Sequence, residues 1–264
     1  MDYGRLDVYV SEKFSVTRQK AQLYIKENCV LVNQAAVKKP SYIVKEGDSV
    51  TLIKLKFDFV SRGGYKLLKA IEGFELDLEG KTCIDIGASA GGFTHCMLDF
   101  GAQKVFAVDV GQNQLSPILL SDERVVNIEN VNVKHLDMFR GEIELADFIT
   151  VDLSFISLTK TVPIIKGFLK SGGSIICLIK PQFEVGRVHI KNGVVRDKKL
   201  HKSVLGNLFE FFEQQKLYVN NCTYSPIKGQ LGNIEYLVEL MKLPPSQIVF
   251  FNLGNIIDSA FNEL

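Results

Sequence analysis

The chain has 264 residues, of which 46% are hydrophobic and 23% charged, with a formal net charge of +1. This is the composition of a globular protein with room for one large domain and one small one. The balanced charge neither implies nor excludes a nucleic-acid partner, so the distribution of charge has to decide. No apolar run reaches the ~18 residues of a membrane span. Met1 to Arg5 lacks the apolar core of a signal peptide. Cys29, Cys83, Cys96, Cys177 and Cys222 are scattered, with no Cys-x-x-Cys pair, which argues against a zinc site. The expectation is a cytoplasmic protein with reduced cysteines, no metal, no membrane contact and no obligate protein partner.

In chain order, Arg5 to Val10 starts a helix. Thr17 can cap a second one whose apolar positions are Ala21, Leu23 and Ile25. Val30–Asn33 and Ser49–Ile53 alternate like short strands, with Gly47-Asp48 as a turn. Lys13, Arg18, Lys20 and Lys26 follow one another with no intervening acid. Residues 1–60 hold ten Lys/Arg against seven Asp/Glu, while the remainder holds 21 against 23. A solvated helix face is one reading of these charges. However, Arg-Leu-Asp-x-x-Val, Thr-Arg-x-Lys-Ala-x-x-x-Ile, Val-Leu-Val-Asn-x-x-x-Val-Lys-Lys-Pro and Val-x-x-Gly-Asp-x-Val stand in order over residues 5–53. This series resembles the small RNA-binding domain of a small-subunit ribosomal protein and of pseudouridine synthases, a module that reads RNA shape and phosphates. The expected division is an RNA-binding domain at 1–55, a short packed linker at 56–61 and a catalytic domain at 62–264.

Ser61 to Lys66 leads into a helix bearing Leu67, Leu68, Ala70 and Ile71. Taken alone, Lys66 in its first turn reads as a surface lysine. Thr82–Ile86 is a buried strand ending in Gly87-Ala88-Ser89-Ala90-Gly91-Gly92, and a helix from Gly92 to Phe100 points its free N–H groups at that turn. Strands follow at Lys104–Val110, Val125–Ile128, Asp147–Leu153 and Ser174–Pro181, with helices at Ser157–Lys170 and Asp197–Gln215. Tyr218–Tyr224 and Glu235–Leu240 close the series as an antiparallel edge, and an amphipathic helix from about Ser246 covers the core. The alternation predicts a Rossmann-like, doubly wound α/β domain behind a small α+β one.

The turn is Gly-x-x-x-Gly-Gly, not the dinucleotide Gly-x-Gly-x-x-Gly, and no P-loop is present. Asp109 ends the second strand, 24 residues after Asp85, where an acid is placed to accept hydrogen bonds from ribose hydroxyls. The pattern resembles the S-adenosylmethionine site of methyltransferases. After the fourth strand stands Asp152-Leu153-Ser154-Phe155. This is not the proline-rich motif of enzymes that methylate base amines, and no cysteine nucleophile ends a strand. Asp152 and Lys180 each end a strand on the cofactor side, where Lys66 and Glu235 are able to join them. A Lys–Asp–Lys–Glu group suits methyl transfer to a weakly acidic sugar hydroxyl, with the acids orienting the ammonium groups.

Six motifs in order carry a closer resemblance: Ser61-Arg62-Gly63-Gly64-Tyr65-Lys66-Leu67; Asp85-Ile86-Gly87-Ala88-Ser89 to Phe93; Asp109-Val110-Gly111 to Leu115; Asp152 to Leu158; Ile179 to Gly186; and Lys228 to Tyr236. Together they resemble the TlyA (haemolysin A-like) family of rRNA 2′-O-methyltransferases, whose catalytic domain is similar to that of the FtsJ heat-shock rRNA methyltransferase. The resemblance implies catalytic roles for Lys66, Asp152, Lys180 and Glu235. It implies cofactor contacts at Asp85, Gly87, Ser89, Gly91, Gly92 and Asp109, and an adenine contact at Asp137, a residue that equally reads as a helix cap. It also implies S-adenosyl-L-methionine as cofactor and a cytidine of ribosomal RNA, within ribosomal subunits, as target. From Lys180 to Lys202 seven basic residues stand against Glu184 and Asp197, either a solvated segment or a wall that guides the RNA backbone. RNA contacts are expected from Arg5, Arg18, Lys20, Lys26, Arg62, Arg187 and Lys191. The competing readings are a pore-forming haemolysin and an inert RNA-binding assembly factor.

Overall fold

The computed structural model describes residues 2–26, 28–53, 57–186, 190, 192–244 and 251–264. The chain divides into two compact units, 1–62 and 63–264. Among the described residues no helix is long and apolar enough to cross a membrane.

The first unit runs β1 (Asp2–Arg5), α1 (Leu6–Lys13), α2 (Arg18–Lys26), β2 (Val30–Val32), β3 (Ala35–Ala36), β4 (Ile43–Lys45) and β5 (Val50–Leu52). β1 pairs with β4, and β3-β2-β5 form a second small sheet. Thr17 caps α2 as expected, its hydroxyl accepting from Lys20 N at 3.2 Å. Ala21, Leu23 and Ile25 are buried, and most of this core is completed by Leu6, Val10, Tyr24, Val30, Val32, Val44 and Val50. β1, β3 and β4 were not expected from the sequence, because strands of two to four residues carry too few positions to show alternation.

Beneath this surface Asp7 is completely buried. Its carboxylate accepts from Arg5 Nε (2.9 Å), Arg18 Nε (3.0 Å) and Gln22 Nε2 (2.7 Å). Those bonds, the one from Arg5 foremost, hold it far below the usual carboxylate range.

The second unit runs α3 (Gly63–Gly73), β6 (Thr82–Ile86), α4 (Gly92–Asp99), β7 (Lys104–Val108), α5 (Pro117–Leu120), β8 (Val125–Ile128), a 3-10 turn at Val133–Phe139 and β9 (Ala146–Val151). It continues with α6 (Leu158–Ile165), β10 (Leu169–Ile179), α7 (Pro181–Glu184), α8 (Lys198–Gln214), β11 (Tyr218–Tyr224), β12 (Tyr236–Met241) and α9 (Leu253–Glu263). Its seven-stranded sheet has the order β11-β12-β10-β9-β6-β7-β8. The five strands from β10 to β8 are parallel, and β12 and β11 form the antiparallel edge. β7 and β8 stand on one side of β6 and β9 and β10 on the other, the strand order of the expected doubly wound domain. One face of the central parallel strands is apolar, with Ile84 and Ile86, Phe106 and Val108, Ile149 and Val151, and Ile175, Cys177 and Ile179 in one core, and Val126 and Ile128 of β8 packed against it.

Several boundaries differ from expectation. α6 stops at Ile165, and β10 begins at Leu169, ahead of the expected Ser174, because its first residues already pair with β9 across a register break. α9 begins at Leu253 under an Asn252 cap, and the expected start near Ser246 lies outside the described residues. The candidates Arg187 and Lys191 also lie outside them.

Asp7→Ala is expected to destabilise the first unit by about 2 kcal/mol. That is less than for a fully buried pair, because both guanidinium groups keep water. Asp7 is depressed in the folded state, so its contribution is present above about pH 4 and is lost as pH falls below that. Chemical unfolding of wild type and variant at neutral and acid pH measures both effects.

Candidate active site

The strand order reverses between β6 and β9, so the carboxyl ends of these two strands flank a crevice. Gly87 follows β6 with φ of +89°, and a Cβ there would come within 2.5 Å of the Asp152 carbonyl oxygen. Gly87 N and Ala88 N both donate to Val108 O (2.8 and 3.1 Å), which closes the turn over β7. Gly91 caps α4 in the left-handed region, and a side chain there would overlap Leu115 and Leu119. Ser89, exposed and also at positive φ, donates its N–H to Asp109 Oδ2 at 2.8 Å. Asp109 Oδ1 accepts from Gly111 N at 2.7 Å. Each oxygen of this half-buried carboxylate keeps a further lone pair, the chemistry a ribose diol needs. The cradle therefore fits an adenosyl cofactor: a turn stripped of side chains, a helix N-terminus and an acid with acceptor capacity.

Two expected contacts stand elsewhere. Asp85 has no exposed surface. It accepts from Thr94 N (2.9 Å), Thr94 Oγ1 (2.7 Å) and Thr150 Oγ1 (2.8 Å), so it braces β6, α4 and β9 from beneath the cradle. Asp137 is exposed and paired with Arg140, which donates to Gly167 O. Gly167 lies two residues before β10, and β10 starts beside the start of β9, so Asp137 belongs to the amino edge of the sheet, away from the cradle. The backbone beside Asp109 is instead that of Asn130 and Val131, whose N–H groups reach Gly111 O and Asp109 O. The missed signal is positional: these residues follow the end of β8 as Asp109 follows the end of β7.

Lys180, one residue past β10, places Nζ 2.6 Å from Asp152 Oδ1 and donates to Ser154 Oγ at 3.0 Å. The contact to Asp152 is ionic; that oxygen has no aligned hydrogen bond. Lys66 donates from Nζ to Glu235 Oε2 at 2.7 Å, and their side chains are only 11% and 3% exposed, so Lys66 is not a surface lysine. One step past the last β10–β12 pair, Ile179 with Tyr236, the register sets Lys180 opposite Glu235. All four residues thus meet at the carboxyl edge, each acid against one lysine.

The loop after Asp152 adds a feature that sequence reading passed over. Phe155 is 85% exposed at positive φ, and its ring lies 5.0 Å from that of Phe183. Glu184 fixes this loop by accepting from Ser157 Oγ (2.6 Å) and Leu158 N (2.9 Å).

In the first unit Arg5 and Arg18 face solvent while anchored on Asp7, and Lys26 is exposed. Lys20 pairs with Asp58 at 2.9 Å, and Arg62 is exposed at the unit's end.

Residues 59–242 match the FtsJ-like methyltransferase family and residues 4–50 match the S4 domain. Over 239 residues the chain is 43% identical to hemolysin A of Brachyspira hyodysenteriae, covering 90% of this chain and 99% of that protein. It is 35% identical over 251 residues to the 16S/23S rRNA (cytidine-2′-O)-methyltransferase TlyA of Mycobacterium tuberculosis, covering 94% and 92%. A solved structure from Streptococcus thermophilus, named as a hemolysin, superposes with a TM-score of 0.74 at 38% identity, covering 98% of this chain and 96% of that one.

Burial pushes Asp85 up to about 6, against the opposing hydrogen bonds from Thr94 and Thr150, and the Asp152 charge adds to the rise. The folded-state value lies above the unfolded one, so the folded protein holds this proton more tightly. Stability therefore declines as pH rises from about 4 to about 6 and stays lower above that, by about 3 kcal/mol. Asp85→Asn is expected to flatten this decline in denaturant unfolding across that range. A decline of unchanged size in the variant would assign it to another group.

Proposed function

Because this chain belongs to the FtsJ-like methyltransferase family, in the TlyA (haemolysin A-like) branch that carries an amino-terminal S4 domain, we propose that it methylates a ribose 2′-hydroxyl of ribosomal RNA, at a cytidine. The observation that carries this reading is the pairing of Lys180 with Asp152 and of Lys66 with Glu235 at the carboxyl edge beside the cradle. Ribosomal subunits as partner and the cytoplasm as location belong to the same reading.

In this reading Asp109 holds the ribose of S-adenosylmethionine, and the turn from Gly87 to Gly92, Ser89 included, leaves room for the methionine end. Bound there, the cofactor supplies an electrophilic methyl group. Lys180 Nζ, held by Asp152 and Ser154, donates to the substrate 2′-oxygen and stabilises the negative charge that grows on it as its proton passes to solvent water. Lys66, held by Glu235, adds a second ammonium to the same edge. The acids keep both cations in place and offset the cost of burying them. Phe155 offers an exposed ring face at the mouth of the site, suited to stacking on an unstacked base. The S4 unit holds the RNA through Arg5, Arg18, Lys20 and Lys26. RNA contacts at Arg62, Arg187 and Lys191 belong to the same reading. A membrane-active role has no comparable constellation behind it.

Lys180→Ala is expected to lower methyl transfer from labelled cofactor to ribosomal subunits by at least about 100-fold while cofactor affinity is kept. A variant that transfers at the wild-type rate would refute the role given to Lys180. Replacing Arg18 and Lys26 together by Gln is expected to weaken RNA binding and to reduce the salt slope of log affinity by about one for each phosphate no longer neutralised. Titrations at three or more salt concentrations read that slope, and an unchanged value removes these residues from the RNA interface.

A further inference from the structure

Glu235 ends a loop that ought to place it poorly. Leu231 and Gly232 both sit at positive φ. Within the loop the backbone is tied to itself only by single bonds from Gly229 N to Asn233 O (2.9 Å), Gly232 N to Gly229 O (3.3 Å) and Asn233 N to Gln230 O (3.2 Å), among the described residues. Yet the carboxylate is almost fully buried and meets Lys66 at 2.7 Å. Gly229 packs so closely on it that any side chain there would overlap the Glu235 oxygens.

The neighbours on either side explain the order. Asn233, 2% exposed, uses its whole side-chain amide: Oδ1 accepts from Val195 N (3.2 Å), and Nδ2 donates to Gly193 O (2.8 Å) and Gln230 O (3.0 Å). His201, 1% exposed in the first turn of α8, has Nε2 3.0 Å from Val195 O and Nδ1 2.7 Å from the Tyr236 hydroxyl. A carbonyl only accepts, so Nε2 carries the proton and Nδ1 accepts from Tyr236. Burial holds the ring below its ordinary pKa, which keeps it in that neutral form.

We infer that Asn233 and His201 are positioning residues for Glu235, clamping the start of β12 to the backbone of residues 193–195 so that the carboxylate is presented to Lys66. Neither residue touches the Lys–Asp–Lys–Glu group; both act through residues flanking Glu235. The inference rests on the methyltransferase reading of that group. It makes residues 193–195, inside the basic stretch, part of the active-site scaffold.

Four full-length variants test it: Asn233→Asp, which turns a donor toward two carbonyls into an acceptor, His201→Phe, His201→Gln and Glu235→Gln. Methyl transfer to ribosomal subunits is measured with labelled S-adenosylmethionine. Asn233→Asp and His201→Phe are expected to lower kcat by about 30- to 100-fold, the cost of an ångström-scale misplacement, with cofactor affinity and the KM for subunits kept within about threefold. His201→Gln, which retains one donor and one acceptor, is expected to recover to within about fivefold of wild type. In a Glu235→Gln background His201→Phe is expected to cost less than about threefold more, because both changes act on one group.

Independent losses in that double variant, or a His201→Gln enzyme as slow as His201→Phe, overturn the clamp. Should Asn233→Asp not fold, the His201 variants decide alone. If the wild type transfers no methyl group to RNA, the functional reading falls, and amide exchange then judges the clamp without activity. His201→Phe should speed exchange at Ser225 and Gly229, whose N–H groups bond Glu235 O and Asn233 O, by about tenfold or more while β6 and β9 stay protected. Unchanged exchange at both amides refutes it.

Discussion

An ion pair across the ends of two neighbouring parallel strands sets the terms for the rest of the catalytic unit. Lys180 and Asp152 stand one residue beyond β10 and β9, where the hydrogen-bond ladder has ended and side chains are free to converge. Their closeness limits what surrounds them. The Asp152 carbonyl lies so near the turn after β6 that only glycine fits at position 87. That turn also aims the first residues of α4 and brings Ser89 N to Asp109. The glycine turn and the Lys180–Asp152 pair are thus built from one set of strand ends and cannot shift independently.

Burying charge is costly unless each group is answered, and at this edge each acid stands against one lysine. Lys66 and Glu235 come from opposite ends of the unit and complete a second pair on the same edge. Antiparallel β12 matters here, because its amino end, not its carboxyl end, meets the carboxyl end of β10. A parallel strand in that position would carry its first residue to the far edge of the sheet. Asp85 follows the same rule in a different way. It is buried without a cation, so threonine hydroxyls and a helix N–H answer it, and its proton is held more tightly.

The first unit solves a similar problem with the geometry reversed. Asp7 is buried, while the guanidinium groups it binds remain at the surface. A carboxylate under two arginines orients them without neutralising the face they present. Arg5 and Arg18, visible as charges in the sequence, are thereby held by an acid whose importance no charge count reveals.

Much was legible from sequence alone. Apolar runs of strand length, ending in Gly87, Asp109, Asp152 and Lys180, determined the parallel sheet and the edge on which chemistry gathers, because a strand buried on both faces leaves only its ends for polar groups. Six motifs in order determined the family. What the sequence left open were distances between residues far apart in the chain. Asp85 reads as a ligand contact by its motif but is a buried brace, and Asp137 reads as a contact by its place after β8 but lies at the opposite edge. The partners of Lys66 and Lys180, the exposure of Phe155, and the hold of Asn233 and His201 on Glu235 were decided only by tertiary structure. Each depends on strand register and on which backbone groups a neighbouring segment leaves unpaired, and neither is written in local periodicity.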